Sequence, residues 1–173
     1  MATTLYEATA GRFEQTLTAT AAFLEKGRVH FTENGMSLDD LVEARLYPDM
    51  LPFRFQVVSA AHHSAGALDA VKTGEFRPPP NSDGMDYSAL EARVAEALEK
   101  VRTADVDALL GAENNDLVFK LGDREMPFLA GEFLLSFSIP NFFFHATTTY
   151  DLLRTHGVPV GKRDFIGRMQ MKK

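Results

Sequence analysis

Apolar side chains recur every three or four residues along most of the chain, which is the spacing of amphipathic helices with one buried face. The first such stretch predicts a helix over residues 5–26 that ends at Gly27, because glycine tolerates the backbone conformation that closes helices. The second predicts a helix over residues 50–72 that starts at Pro48 and Pro52, because a proline near the first turn removes only an amide that would be unsatisfied there. His30 then falls in a loop.

Two further helices follow a long connection. Gly74 and the Pro- and Gly-containing residues 78–84 cannot continue a helix, so they predict a long crossover. A capping box of Ser88 and Glu91 begins a third helix over residues 88–103. The last helix is predicted over residues 130–156, and Pro140 is expected to kink or divide it.

Between the third and last helices, the spacing of the apolar residues no longer fits a helix. Residues 117–121 and 125–128 flank a Gly-Asp turn and predict a short β-hairpin. Together these elements predict an all-α protein: one domain over residues 1–173, built as a four-helix bundle with a long crossover between helices 2 and 3 and a small β-hairpin before helix 4. The final residues, 161–173, predict a docked or partly loose tail.

Composition narrows the chemistry and the partners. The chain of 173 residues has no cysteine, which excludes disulfides, thiolate metal sites and a cysteine nucleophile. A formal net charge of -6 disfavours nucleic acid and anionic membrane surfaces as partners. The N-terminal residues lack the pattern of a targeting peptide, so a cytoplasmic location is expected. The apolar residues 128–144 include Glu132 and Pro140 and predict a buried helix rather than a membrane span.

Polar residues line one face of helices 2 and 4, where a solid core would have leucines. Helical spacing places them together, and they predict a partly polar pocket between the two helices. They are Gln56, His63, Asn141, His145 and Thr149. Two interpretations remain open for the histidines. They are hydrogen-bonded core residues, or they belong to a ligand or metal site.

Two sequence blocks resemble those of a bacterial domain family of unknown function. The first is Leu-Tyr-Pro-Asp-Met at 46–50, followed by Gln-Val at 56–57. The second is Pro-Asn-Phe-Phe-Phe-His at 140–145, followed by Leu-Arg at 153–154 and Gly-Val at 157–158. That family is placed with the DinB/YfiT-like metalloenzyme superfamily, and the resemblance covers nearly the whole chain.

The resemblance implies where a metal site would lie. The superfamily binds a divalent metal through three histidines, two of them in an HxxxH pair on the last helix. Alignment on residues 153–158 places this pair on Asn141 and His145, and places the third ligand near Gln56 or, in a shifted alignment, on His63. Amides are poor ligands for zinc or nickel, so we expect the three-histidine site to be lost and no cofactor to be held. The alternative is a divalent metal at His145 and His63.

Two classes of function follow. In the first, the polar pocket binds a small molecule, either without a metal or, as in better-known superfamily members, as a metal-dependent transferase, isomerase or hydrolase. In the second, the protein is a non-catalytic interaction module. The superfamily analogy and the 14 phenylalanines, more than one small core readily absorbs, also predict a homodimer with an aromatic interface.

Overall fold

The computed structural model describes residues 3–172 and is mostly helical, with one small sheet. The elements in chain order are α1 (Leu5–Ala8), α2 (Ala10–Glu33), α3 (Leu38–Glu43), α4 (Phe53–Ala61), a π-helical segment (His62–Gly66), α5 (Ala67–Thr73), β1 (Glu75–Phe76), α6 (Tyr87–Arg102), α7 (Val106–Gly111), β2 (Asp116–Leu121), β3 (Arg124–Leu129), α8 (Ala130–Glu132), a second π-helical segment (Phe133–Ser138), α9 (Ile139–Thr155) and α10 (Lys162–Ile166).

The first long helix continues past Gly27, so the predicted end at that residue is wrong. Gly27 is buried, and a Cβ there would lie 2.6 Å from Tyr87 Oη and 2.7 Å from Leu153 Cδ2. The glycine is therefore needed for close helix packing and not for termination. The helix ends after Glu33, where Gly35 adopts a φ of 64°. His30 consequently lies on the helix and not in a loop.

The second long helix begins at Phe53, three residues later than predicted, because Pro52 is its N-cap and residue 50 lies in the preceding loop. It then runs through the first π-helical segment to Thr73 and ends at Gly74, whose φ is 75°. The third helix begins with Asp86 as its N-cap, accepting from the Ala89 amide at 2.8 Å. The predicted Ser88 capping box is therefore wrong by about half a turn.

Pro140 neither divides nor ends the last helix. The chain is helical from Ala130 to Thr155, and the residues just before the proline form the second π-helical segment. A proline cannot donate to the carbonyl four residues back and its ring crowds that carbonyl, and a wider turn at that point relieves both problems. The helix thus stays continuous through a local change of pitch.

The predicted hairpin is present, with β2 antiparallel to β3 across a turn at Gly122. A third strand, β1, was not predicted; it lies in the crossover after α5 and pairs parallel to β2. Its Phe76 packs against Phe119 and Phe133, with ring centroids 5.7 and 5.0 Å apart. The sheet therefore covers one end of the helical core.

The long helices pack side by side around a shared apolar interior. α2 packs on α6, α6 on α4, α4 on α9, and α9 on α2. The tail is docked as far as α10, where Gln15 Nε2 donates to the Ile166 carbonyl at 2.9 Å and Lys26 pairs with Asp164. Within residues 3–172, every helix is too short or too polar to cross a bilayer.

Candidate functional site

Gln56 and His145 are joined across the α4–α9 interface. His145 Nδ1 lies 2.8 Å from Gln56 Oε1, and Gln56 Nε2 donates to the Leu51 carbonyl at 2.8 Å. The carbonyl of Leu51 can only accept, so it fixes which end of the Gln56 amide carries the nitrogen. Gln56 Oε1 must then face the imidazole. Because an amide oxygen only accepts, His145 Nδ1 carries the hydrogen.

This hydrogen bond sets the chemistry of the other ring nitrogen. A neutral imidazole protonated on Nδ1 has a lone pair on Nε2, which therefore acts as an acceptor. His145 Nε2 bonds to no group in residues 3–172 and is not among the fully buried unpartnered atoms there. Burial lowers the pKa of His145 to about 4, so the ring is neutral at pH 7.

His63 lies beside His145, inside the core. The two rings are nearly parallel, with centroids 5.7 Å apart, and His63 is only 4% exposed. Its Nδ1 is buried and has no hydrogen-bond partner, while its backbone carbonyl accepts from Ser138 Oγ at 2.6 Å. Burial, and then the neighbouring His145 and His62, lower the pKa of His63 to about 3. Both rings are thus neutral and desolvated.

The other two predicted residues turn to the backbone of their own helix. Asn141 Nδ2 donates to the Phe137 carbonyl at 2.7 Å, and Thr149 Oγ1 donates to the His145 carbonyl at 2.8 Å. Thr149 is fully buried and Asn141 is half-buried. Of the five predicted residues, the structure therefore brings Gln56, His63 and His145 together, while the polar atoms of Asn141 and Thr149 satisfy helix carbonyls.

Two aromatic rings beside His145 were not predicted as part of the site. Phe55 lies edge-on to the imidazole with a centroid distance of 5.8 Å, and Phe144 lies edge-on at 5.2 Å. Phe144 is 55% exposed, which marks the side on which this group of residues meets solvent. The sequence signal that could have identified them is their position, since Phe55 immediately precedes Gln56 and Phe144 immediately precedes His145.

Ser59 is a third residue of this region that the sequence analysis did not predict. It is fully buried, and its hydroxyl has no hydrogen-bond partner. It lies four residues after Phe55 and three after Gln56, which places it on the α4 face that contacts His145. A buried hydroxyl and a buried ring nitrogen of His63 are thus both unsatisfied in this region, an uncommon condition in native interiors.

The donor chemistry does not match a three-ligand metal site. In residues 3–172, no three side chains of His, Cys, Asp or Glu are arranged so that they could hold a metal ion. The resemblance implies an imidazole ligand near residue 56, where this chain has an amide whose two polar atoms are bonded to the Leu51 carbonyl and to His145. The residues present therefore do not fit the metal that the superfamily carries.

Sequence comparison places the chain in a family. The model of the "Domain of unknown function (DUF1993)" matches residues 5–166. The chain belongs to the DUF1993 family. Among curated proteins, none matches this DUF1993 chain.

Solved structures show a related fold. The crystal structure of a DinB family member protein from Shewanella denitrificans, at 1.83 Å resolution, superposes with a TM-score of 0.79. The two sequences are 24% identical, and the match covers 98% of this chain and 95% of that one. The DUF1993 chain thus has a mainly helical fold of the DinB type, as the sequence resemblance predicted.

Proposed function

We propose that this DUF1993 protein binds a small neutral molecule through the lone pair of His145 Nε2, and that it does so without a metal. In this proposal the chain is a single DinB-like four-helix bundle domain, and the site lies between its second and fourth helices. The ligand is an alcohol or phenol: its hydroxyl donates to Nε2, and its apolar body contacts Phe55 and Phe144.

The hydrogen bond from His145 to Gln56 carries this proposal, because it makes Nε2 an acceptor. A hydroxyl donor complements an acceptor that touches aromatic rings, whereas a carboxylate would have to leave water for a neutral acceptor with nothing to balance its charge. Burial also keeps the imidazole neutral, since the pKa of His145 is lowered to about 4. The site therefore favours neutral donors over anions.

The alternative is metal-dependent catalysis at His145 and His63. Two imidazoles supply fewer protein ligands than the three of a catalytic zinc site. In residues 3–172 no further ionisable ligand converges on them. The alternative would be favoured by stoichiometric zinc binding that is lost with His145→Ala.

The test is calorimetric titration of the untagged protein with phenol, benzoate and Zn²⁺. We expect phenol to bind, benzoate to bind at least about tenfold more weakly, and His145→Ala to lose about five- to tenfold in phenol affinity, the value of one hydrogen bond. His156→Ala, which removes a histidine at the end of the same helix, should bind phenol like the native protein. Equal phenol affinity of the native protein and His145→Ala would refute the proposal.

We also propose that the protein is a homodimer. The support for this proposal is a cluster of exposed apolar residues and not the number of phenylalanines. The interior absorbs most of the aromatic side chains, and Phe144 is the one phenylalanine among the exposed large apolar residues of the described chain. Exposed apolar residues instead cluster in the loop between α3 and α4, where Leu46, Tyr47 and Leu51 are 40%, 66% and 48% exposed. Sedimentation velocity at micromolar concentration should give the dimer mass, and a monomer mass would contradict the proposal.

A further inference from the structure

A cleft lies on the side of the molecule formed by the first π-helical segment, α5, α6 and β1. Its volume is about 600 Å³. Small residues and the ring of Phe76 form its apolar lining, and the small residues are Ala61, Ala65, Gly66, Ala70 and Ala97. Its charged lining holds three carboxylates, Asp69, Glu75 and Glu96, and three cations, Arg77, Arg93 and Lys100. The small side chains leave room for a flat apolar molecule. None of the residues that surround His145 lines it.

The π-helical segment directs one histidine into each site. His63 enters the core beside His145, while its neighbour His62 lines the cleft. His62 Nε2 lies 2.7 Å from the Arg77 carbonyl, which can only accept, so Nε2 carries the hydrogen and Nδ1 is an acceptor. A Cβ on Gly66 would lie 2.9 Å from that Nδ1. The glycine thus keeps space open at the acceptor, and π turns of this kind are frequent at functional sites.

Arg93, which lines the cleft, has unused hydrogen-bond donors. The Arg93 guanidinium makes a single bond to protein in residues 3–172, from Nη1 to Glu96 Oε2 at 3.3 Å, and its side chain is 35% exposed. Of the other cations that line the cleft, Arg77 also makes one ion pair, a shorter one with Glu75 at 2.6 Å, and Lys100 contacts two carboxylates. Arg93 thus has the longer of the two arginine ion pairs, and its guanidinium can exchange that contact for an added anionic group.

We propose that this cleft is a binding site for a flat, mostly apolar carboxylate that also carries an N–H or O–H donor. The donor bonds to His62 Nδ1, the carboxylate bonds to Arg93, and the apolar body contacts the alanines of the lining. Burial lowers the pKa of His62 and so keeps Nδ1 free to accept at pH 7. The proposal is independent of the site at His145, which favours neutral molecules.

The probe is indole-3-acetate, which has an indole N–H and a carboxylate on an apolar ring. Calorimetry and amide chemical shifts of the ¹⁵N-labelled protein should show one site, with the largest shifts in the π-helical segment and α6. Uncharged indole should bind at least about fivefold more weakly, and cationic tryptamine more weakly still. Tryptamine binding as tightly as indole-3-acetate, or shifts centred on α9 rather than on the cleft, would overturn the proposal.

Two variants within the cleft, each with a control variant outside it, test whether the ligand binds in the cleft. Arg93→Gln should reduce indole-3-acetate affinity about tenfold, and Arg102→Gln, on the same helix but outside the cleft, should leave it unchanged. Gly66→Ala should abolish binding, whereas Gly111→Ala, where an added Cβ meets no atom within 4 Å, should not. If Gly66→Ala fails to fold by circular dichroism, Arg93→Gln decides alone. Native affinity in Arg93→Gln would refute the assignment.

Discussion

Replacing His63 with leucine should remove a large part of the pH dependence of stability between pH 7 and pH 5. His63 is almost fully buried, and its pKa falls from 6.5 to about 3 in the folded protein. The unfolded chain therefore takes up a proton between pH 6.5 and pH 3 while the folded chain does not. Falling pH favours unfolding in that window, and above pH 6.5 the effect disappears.

The size of the effect follows from proton linkage. At pH 5 the unfolded histidine is mostly protonated and the folded one is not, which amounts to about 2 kcal/mol of stability lost relative to pH 7. Urea unfolding at pH 7, 6 and 5 measures this directly as a change in the free energy of unfolding. The native protein should lose about 2 kcal/mol more over this range than His63→Leu does.

Ser59→Ala is the matched control, because Ser59 is another buried polar residue, four positions before His63 on the same continuous helix, and the substitution retains every histidine. It should keep the full native pH dependence. At pH 7 itself, His63→Leu should be about as stable as the native protein or more stable, since it removes a buried ring nitrogen that has no partner. An identical pH dependence in His63→Leu and the native protein would refute the argument that His63 is neutral and desolvated.

Three further changes test the packing and the hydrogen bonds of the site by urea unfolding. Gly27→Ala should destabilise the protein by about 1–3 kcal/mol, because the added methyl group meets Tyr87 Oη, even though alanine is the better helix former. Gly111→Ala is the control, since open space surrounds Gly111, and it should be neutral or stabilising. Equal effects of the two substitutions would contradict the packing role of Gly27. Tyr87→Phe should cost about 1 kcal/mol, because the Tyr87 hydroxyl donates to the buried Leu24 carbonyl at 2.8 Å, and native stability would show that this bond contributes nothing. Gln56→Leu should cost about 1–3 kcal/mol, since it leaves the imidazole N–H of the site and a loop carbonyl unpaired, and a neutral effect would argue against the described orientation of the amide.

The hydrophobic pattern predicted the long helices and the hairpin, but it could not predict what tertiary packing decides. Gly27 illustrates the limit. A glycine near the end of a periodic stretch has the same local pattern whether it ends a helix or permits a close helix contact, and only Tyr87 and Leu153 distinguish the two. The strand β1 was not predicted for a similar reason. Its two residues are too few to show an alternating pattern, and they form a strand because they pair with β2.

The π-helical segments show a second limit. One extra residue in a turn changes which side chains share a face on either side of that turn, and the spacing of apolar residues does not reveal it. The sequence pattern did bring Gln56, His63 and His145 together, because helical spacing and the resemblance point to the same interface. It could not show that the Asn141 amide bonds to the Phe137 carbonyl, since polar side chains compete between ligands and nearby backbone groups.

The protonation state of His145 tests the central claim most directly. Long-range ¹H–¹⁵N spectra of the imidazole rings at pH 7 distinguish a protonated Nδ1 from a protonated Nε2 and from the charged ring. We predict a neutral His145 with its hydrogen on Nδ1, and a shift of the Nε2 resonance when phenol is added. A hydrogen on Nε2, a charged ring at pH 7, or an Nε2 resonance that phenol does not move would contradict the account.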